Sequence, residues 1–483
     1  MCLIAFFAVA LFNSSTQIDN AGNLMVLFHK INYFIKREEK SMGITKADIL
    51  VLAEELNIKF IRLQFSDILG VIKNVAIPIK QLPKALDNEI MFDGSAIEGY
   101  VRIEESDMNL RPDLNTFAVF PWSDPDMMEA RLICDVYYPN GQPFVGDPRY
   151  VLKKVLAEAE SMGYRVMAGP ELEFFLFRLD EQGRGTTAAV DKASYFDMGP
   201  VDSGESARRD IMVALEEMGF EIEASHHEVA YGQHEIGFKY DYALSSADRV
   251  ATAKFVAKTI ARQHGLLASF MPKPVYGQAG SGMHTHFSLV DQKGENAFYD
   301  PNEQFQLSKT ALYFIGGLLH HAPGYTAITN PLVNSYKRLT TGYEAPVYIS
   351  WSAQNRSALV RVPASRREST RVELRSPDPS CNPYLAFAVT IKAGLNGIKN
   401  KIEPPPSLSQ NIYNMNPAEL KQAKISCLPP SLDKAIEALQ KDEVIKAALG
   451  DHIYTQFLRA KMHDWHEYST QVHQWEIDKY LGV

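Results

Sequence analysis

Behind the polar start at Thr45, apolar residues recur with helical spacing through Ala47-Asp48-Ile49-Leu50-Val51-Leu52-Ala53-Glu54-Glu55-Leu56, predicting a helix. Alternation then replaces that period. Phe60 to Phe65 reads as a strand, Leu69-Gly70 as a turn, and Val71 to Ile77 as a returning strand that stops at Pro78, so this stretch predicts a hairpin. A further strand-like run, Ala130 to Val136, precedes the Pro/Gly-rich Pro139-Asn140-Gly141-Gln142-Pro143, which predicts that a small mixed domain over residues 42–145 ends here. From residue 146 to 483, helical patterns at 151–162, 205–218, 245–264, 308–320, 383–396, 431–448 and 451–468 alternate with strand-like runs. This predicts an α+β domain in which one sheet carries the chemistry. No internal repeat is visible, and Glu403-Pro404-Pro405-Pro406-Ser407-Leu408-Ser409 must be a surface loop because consecutive prolines remove backbone donors.

Composition narrows the class. A chain of 483 residues that is 46% hydrophobic and 22% charged has the material for one large core or two ordinary ones, which excludes disorder. The net charge of −9, without a long run of Lys or Arg, argues against a nucleic-acid partner. Cys2, Cys134, Cys381 and Cys427 lie too far apart for a zinc knuckle or a disulfide framework, so a reducing, cytoplasmic setting fits. The apolar run Cys2 to Phe12 is short of the ~20 residues that span a bilayer, so no membrane is expected. No basic residue precedes that run, as a secretion signal would require. Residues 1–41 are expected to be an N-terminal extension absent from the native protein, with translation starting at Met42. Arg37-Glu38-Glu39 fits a purine-rich ribosome-binding stretch just upstream.

Short motifs for common nucleotide and hydrolase folds are absent: there is no G-x-x-x-x-G-K, G-x-G-x-x-G, H-E-x-x-H or nucleophile elbow. Charged residues instead occupy alternate positions in strand-like runs. In Gly169-Pro170-Glu171-Leu172-Glu173-Phe174, strand geometry puts Glu171 and Glu173 on one face with Cα atoms ~7 Å apart, an arrangement that invites divalent cations. Glu228 and Glu235 flank a Gly-containing turn, and His284 and His286 share a face beside Gly280 and Gly282. Arg371, Glu373 and Arg375 occupy one face of a strand whose other face is Val372 and Leu374, and Arg356 and Arg361 repeat the arginine theme nearby. Five glutamates and a histidine suffice for two hard cations such as Mg²⁺ or Mn²⁺, and guanidinium forks suit phosphate oxygens. The pattern therefore points to metal-dependent ATP chemistry without a P-loop.

These residues resemble a known family, the type I glutamine synthetases, and within them the α-type of Gram-positive bacteria, from about Ile44 to the C-terminus. The resemblance is carried by Met91-Phe92-Asp93-Gly94-Ser95, Glu105-Ser106-Asp107-Met108, Glu171-Leu172-Glu173-Phe174, His227-Glu228, Gly280-Ser281-Gly282-Met283-His284 and Lys337-Arg338-Leu339. Gly342-Tyr343-Glu344-Ala345-Pro346, Asn355-Arg356-Ser357-Ala358, Arg371-Val372-Glu373-Leu374-Arg375 and Asn382-Pro383-Tyr384-Leu385 complete it. It implies a small β-grasp N-terminal domain and a catalytic domain with a curved antiparallel sheet and helices. The implied assembly is a dodecamer of two hexameric rings, with active sites between neighbours.

The resemblance further implies that ATP, L-glutamate and ammonia are converted to L-glutamine, ADP and phosphate through γ-glutamyl phosphate. Two Mg²⁺ or Mn²⁺ ions per site would be held by Glu173, Glu228 and Glu235 and by Glu171, His284 and Glu373. Glutamate would contact Gly280, Arg338, Glu344 and Arg375, and ATP or its phosphates His286, Arg356 and Arg361. Asp93, with Asp107, would serve the ammonium of a neighbouring subunit's site. Arg102, the short Asp180–Pro200 connection and Asn411-Ile412-Tyr413-Asn414-Met415 fit the feedback-inhibited subtype, with nitrogen-regulatory proteins as partners of the inhibited form. The chain departs from the family at Ala279, where an asparagine is usual, and at Thr340-Thr341. Two further readings are a paralogous γ-glutamyl-amine ligase and a non-catalytic nitrogen-sensing scaffold. The retained Asp93 and Asp107 speak against the first, and the intact ligand set against the second.

Overall fold

Thr45 starts the first helix by a reciprocal cap. Its hydroxyl accepts from the Asp48 amide at 3.2 Å while the Asp48 carboxylate takes the Thr45 amide at 2.9 Å, closing α1 (Lys46–Glu55) at its N-terminus. The computed structural model describes residues 44–100, 107–342, 345–353, 355, 357–408, 412–415, 419–420 and 425–483. The expected extension at 1–41, together with Arg102, Glu344 and Arg356, lies outside the described residues.

After α1 come β1 (Phe60–Ser66), β2 (Ile72–Pro78), α2 (Leu82–Leu86), β3 (Ile90–Asp93), β4 (Asp107–Val119) and β5 (Glu129–Tyr137). They form a sheet in the order β2-β1-β5-β4-β3, with β1 and β5 parallel and the other pairs antiparallel. Its inward residues Ile61, Leu63, Leu132 and Val136 close on Ile49 of α1, all fully buried or nearly so. The expected hairpin is present, and its Gly70 has φ +83°. A Cβ there would sit 2.8 Å from the Asn382 Cα, so only glycine lets this turn dock against the second domain. Asn382 in turn donates to the Asp67 carbonyl at 3.0 Å.

The second unit runs through α3 (Pro148–Ser161), β6 (Tyr164–Leu179), β7 (Gly185–Ala189), α4 (Glu205–Glu217), β8 (Ile222–His227), β9 (Gln233–Phe238), β10 (Asp241–Tyr242), α5 (Ala243–Gln263), β11 (Leu266–Ser269) and β12 (Thr285–Asp291). It continues with α6 (Lys309–His320), α7 (Ala322–Thr329), α8 (Ser335–Arg338), β13 (Trp351–Ser352), β14 (Val360–Arg361), β15 (Val372–Leu374), α9 (Pro383–Asn400), α10 (Leu432–Leu439), α11 (Glu443–Thr470) and α12 (Gln474–Tyr480). Among the described residues the sheet runs β13-β14-β15-β12-β6-β9-β8, with β7, β10 and β11 also on β6. It is antiparallel except for the β13–β14 pair.

The long strand β6 organises this half. Pro170, which has no N–H to give, falls where its neighbour changes from β10 at Met167 and Ala168 to β9 at Glu171 through Phe175. Leu172, Phe174 and Leu176 enter the large core under the helices. On the opposite face Phe175 and Phe177 form a small apolar floor with Ala230, and Glu171 and Glu173 continue that same face.

One helical expectation needs correction. The stretch 431–448 is not one helix: α10 ends at Leu439, and Asp442 caps a new start by accepting from the Val444 and Ile445 amides at 3.1 Å each. The other Asp442 oxygen is held by His321 at 2.7 Å, a tertiary contact that the helical period does not reveal. The short helices α2, α7, α8 and α12 were also outside the predicted set. Among the described residues no helix is long and apolar enough to cross a membrane.

Candidate active site

Strand register places the charged side chains in two rows. Across β6, β9 and β8, Glu173 lies opposite Glu235, and Glu235 opposite His226. Across β12, β15 and β14, His286 lies opposite Glu373, and Glu373 opposite Arg361. Directly paired residues have Cβ atoms about 5 Å apart, so each row is a set of side chains in mutual reach. Glu171 stands between the rows, its carboxylate 2.8 Å from His286 Nε2 and 3.3 Å from His284 Nδ1. His284 comes just before β12, and its carbonyl accepts from the Glu171 amide at 2.8 Å.

All six expected metal ligands, Glu171, Glu173, Glu228, Glu235, His284 and Glu373, line one cavity of about 310 Å³, together with Gly280, Arg338, Arg361 and Arg375. A second cavity of about 250 Å³ shares Glu171 and Glu235 with it and extends past His286, Tyr240, Phe238 and Arg371. Ligand atoms of Glu171, His286 and Glu373 lie within 4.8 Å of one another, as do those of His226, Glu228 and Glu235. These groupings bring in His226 and His286 beside the expected ligands.

The glycines make room. A Cβ on Gly280 would lie 2.2 Å from the Pro272 carbonyl oxygen, and one on Gly282 would lie 2.6 Å from Arg338 Nη2. Arg338 is buried and spends its donors on the carbonyls of Ser376 and Arg375 at 2.7 and 3.2 Å. Arg375 donates to Glu373, and its own buried Nε has no partner among the described residues. Arg361 reaches the other Glu373 oxygen at 2.5 Å.

Electrostatics divides the carboxylates. Burial alone would raise Glu373, but Arg375 with His286 and His284 holds it below the usual range, so it stays ionised. Burial also works against Glu171, and the hydrogen bonds from His284 and His286 prevail in the same direction. Glu173 is pushed up by burial and by Glu228, and Glu235 by burial and by Glu173, Glu171 and Glu228. The Glu235 end of the cavity is thus short of positive charge.

Sequence reasoning missed His226 and Gln233. His226 Nε2 lies 2.9 Å from Glu228 Oε1, and the alternation of β8 places it on the face of that glutamate. Gln233 is buried, and its amide nitrogen donates to Glu173 at 3.0 Å and to the Gly280 carbonyl at 3.2 Å. Each stands two residues before an expected ligand, His226 before Glu228 and Gln233 before Glu235, which was the available signal.

Asp93 and Asp107 are placed elsewhere, opposite each other on β3 and β4, and neither lines the two cavities. The Asp93 carboxylate takes the amide and hydroxyl of Ser95 at 2.8 and 2.7 Å, which holds it below the usual range.

Residues 145–480 match the model of the glutamine synthetase catalytic domain, and residues 57–139 that of the glutamine synthetase β-grasp domain. The chain belongs to the glutamine synthetase family. It is 60% identical to the glutamine synthetase of Thermus thermophilus, over 92% of this chain and all of that one. It is 58% identical to that of Clostridium saccharobutylicum, over 91% and 99% respectively. Among solved structures it is similar to GmaS in complex with ADP, with a TM-score of 0.82 and 34% identity over 90% of this chain and all of that chain. The β-grasp and catalytic architecture of glutamine synthetases is thus what the two sheets represent.

Proposed function

We propose that the chain ligates ammonia to the γ-carboxylate of L-glutamate at the expense of ATP, by way of γ-glutamyl phosphate, giving L-glutamine, ADP and phosphate. The observation that carries this reading is the single cavity in which five carboxylates and two histidines meet three arginines, beside a second cavity lined by aromatic rings. That donor set suits hard divalent cations, and the raised Glu173 and Glu235 are carboxylates whose repulsion a cation would relieve.

Two ions, Mg²⁺ or Mn²⁺, would be held by Glu173, Glu228 and Glu235 and by Glu171, His284 and Glu373. When bound, they supply Lewis-acid stabilisation of charge on the transferring phosphoryl group. ATP occupies the second cavity, with His286 and Arg361 toward its phosphates and Arg356 joining them. L-Glutamate lies over Gly280 with Arg338 and Arg375, which line the same cavity, at its carboxylates. A carboxylate is a poor acyl donor, so phosphorylation must come first, and ammonia then displaces phosphate. The acyl phosphate hydrolyses in water, and Glu344 belongs to the segment that excludes solvent. Asp93 and Asp107 complete the ammonium site of a neighbouring subunit in a dodecamer of two rings, which fits their distance from the cavity of their own chain. Arg102 and nitrogen-regulatory proteins belong to feedback control by glutamine, and the enzyme works in the cytoplasm.

The test is direct. Purified protein with ATP, Mg²⁺, L-glutamate and ammonium should form glutamine in step with ADP, while methylamine or a polyamine in place of ammonium should give far less product. Product with the alternative amines but not with ammonium would overturn the reading.

A further inference from the structure

The strongest feature outside the cavity is a buried cluster behind the β8–β9 hairpin, made of Asp191, Asp202, His227 and His234. It is not a second cation site, because Arg208 already fills it, 2.6 Å from Asp202 and 2.8 Å from His234 Nδ1. Its unexplained member is Asp191, whose carboxylate is 2% exposed and takes four hydrogen bonds. One oxygen accepts from His227 Nε2 at 3.1 Å and from the Gly232 and Ala193 amides at 3.0 and 3.3 Å. The other accepts from the Ser203 amide at 3.1 Å.

The His227 ring is held from both ends, since its Nδ1 lies 2.6 Å from the Glu228 carbonyl oxygen. With an acceptor at each end, the Asp191 carboxylate and the Glu228 carbonyl, the ring is fixed in position and plane. Gly232 is equally constrained: its φ is +65°, and a Cβ there would lie 2.8 Å from the Leu176 carbonyl oxygen. Its amide is aimed at Asp191, while its carbonyl accepts from Leu176 of β6 at 2.8 Å. The contact to Ser203 also closes the neck of the 191–203 loop, which carries the cavity-lining Tyr195. One carboxylate thus ties together the backbone at Glu228, the turn that leads to Glu235 and the loop that leads to Tyr195.

We propose that Asp191, acting through His227 and the Gly232 amide, is a positioning residue for Glu228 and Glu235 and sets the affinity of that end of the cavity for a divalent cation. This rests on the reading of the cavity as a two-cation site. Partners that orient ligating groups typically contribute 10–100-fold in metal affinity.

The experiment titrates Mn²⁺ alone into the full assembled protein by calorimetry, for the parent, Asp191→Asn and Glu228→Gln, alongside the Mg²⁺ dependence of glutamine synthesis. Asp191→Asn should weaken Mn²⁺ binding about tenfold and raise the Mg²⁺ concentration for half-maximal activity to match, with kcat at saturating Mg²⁺ within about twofold of the parent. A merely structural role would lower the metal-free melting temperature and leave Mn²⁺ affinity unchanged, and that result overturns the proposal. If Asp191→Asn fails to assemble, His227→Gln, which keeps one donor toward either partner, must show the same weakening or the proposal is wrong. Parent-like Mn²⁺ binding by Glu228→Gln would instead sink the two-cation reading itself, so the two failures are distinguishable.

Discussion

Two buried clusters of charge in this molecule are built on opposite plans. At the junction of the two sheets, Arg149 donates to Asp248 through Nε and Nη2 at 3.0 and 2.9 Å, to Asp135 at 2.7 Å and to Asp113 at 2.7 Å, and Tyr384 donates to Asp248 at 2.8 Å. The carboxylates come from β4, β5 and α5; Arg149 of α3 reaches all three, and Lys153 of the same helix takes the other Asp135 oxygen, so every carboxylate has a cation as direct partner and the cluster joins the halves. In the cavity, Glu173 is pushed up by burial and by the charge of Glu228, and Glu235 by burial and by Glu173, Glu171 and Glu228. A cluster closed on itself is a fastener, whereas one left negative is a receptacle for cations from solution.

The largest effect should come from opening the fastener. Arg149→Met strands three carboxylates with too few partners and should cost about 3–5 kcal/mol of unfolding free energy in denaturant titration. A loss below about 1 kcal/mol would place Arg149 among ordinary surface pairs. Next, Mg²⁺ should stabilise the protein through the cavity, by about 2.7 kcal/mol at a hundredfold excess over its dissociation constant. Thermal melting with and without Mg²⁺ measures this, and the increment should survive Arg149→Met but shrink in Glu235→Gln.

The same Glu235→Gln change should stabilise the metal-free protein, on the order of 1 kcal/mol at pH 7. Glu235 is raised in the fold, so keeping a carboxyl there costs stability above the unfolded-state value, and removing it removes that cost. Metal-free destabilisation would show that the cavity is self-neutralised after all.

The smallest effect concerns His321, whose Nδ1 faces Asp442 at 2.7 Å and whose Nε2 faces Asn396 Oδ1 at 3.1 Å. Burial opposes its charged form, but these two acceptors prevail and raise it. Its contribution is therefore full below the unfolded-state value of about 6.5 and drains away as pH rises through the raised folded-state value. Stability measured from pH 6 to 9 should fall, and Asp442→Asn should flatten that fall.

The fastener was invisible in the sequence, since Asp113, Asp135, Arg149 and Asp248 carry no common spacing and meet only after both sheets form. The receptacle was partly legible, because Glu171, Glu173, Glu228, Glu235, His284 and Glu373 each sit in a strand-like run where a charge is conspicuous. His226 and Gln233 were missed because what they touch comes partly from distant segments: Gln233 bonds Glu173 and the Gly280 carbonyl, and His226 lies opposite Glu235.

What the sequence determined by itself was local: the period of each element, the turns that need Gly70 and Gly232, the charged face of β6, and the motifs that identify the family. Only the tertiary structure decided which charges meet, because register between strands distant in sequence is set by how whole faces bury, and no single strand encodes it. That is why Asp442 breaks the stretch read as one helix, and why Asp191 faces His227 from 36 residues away.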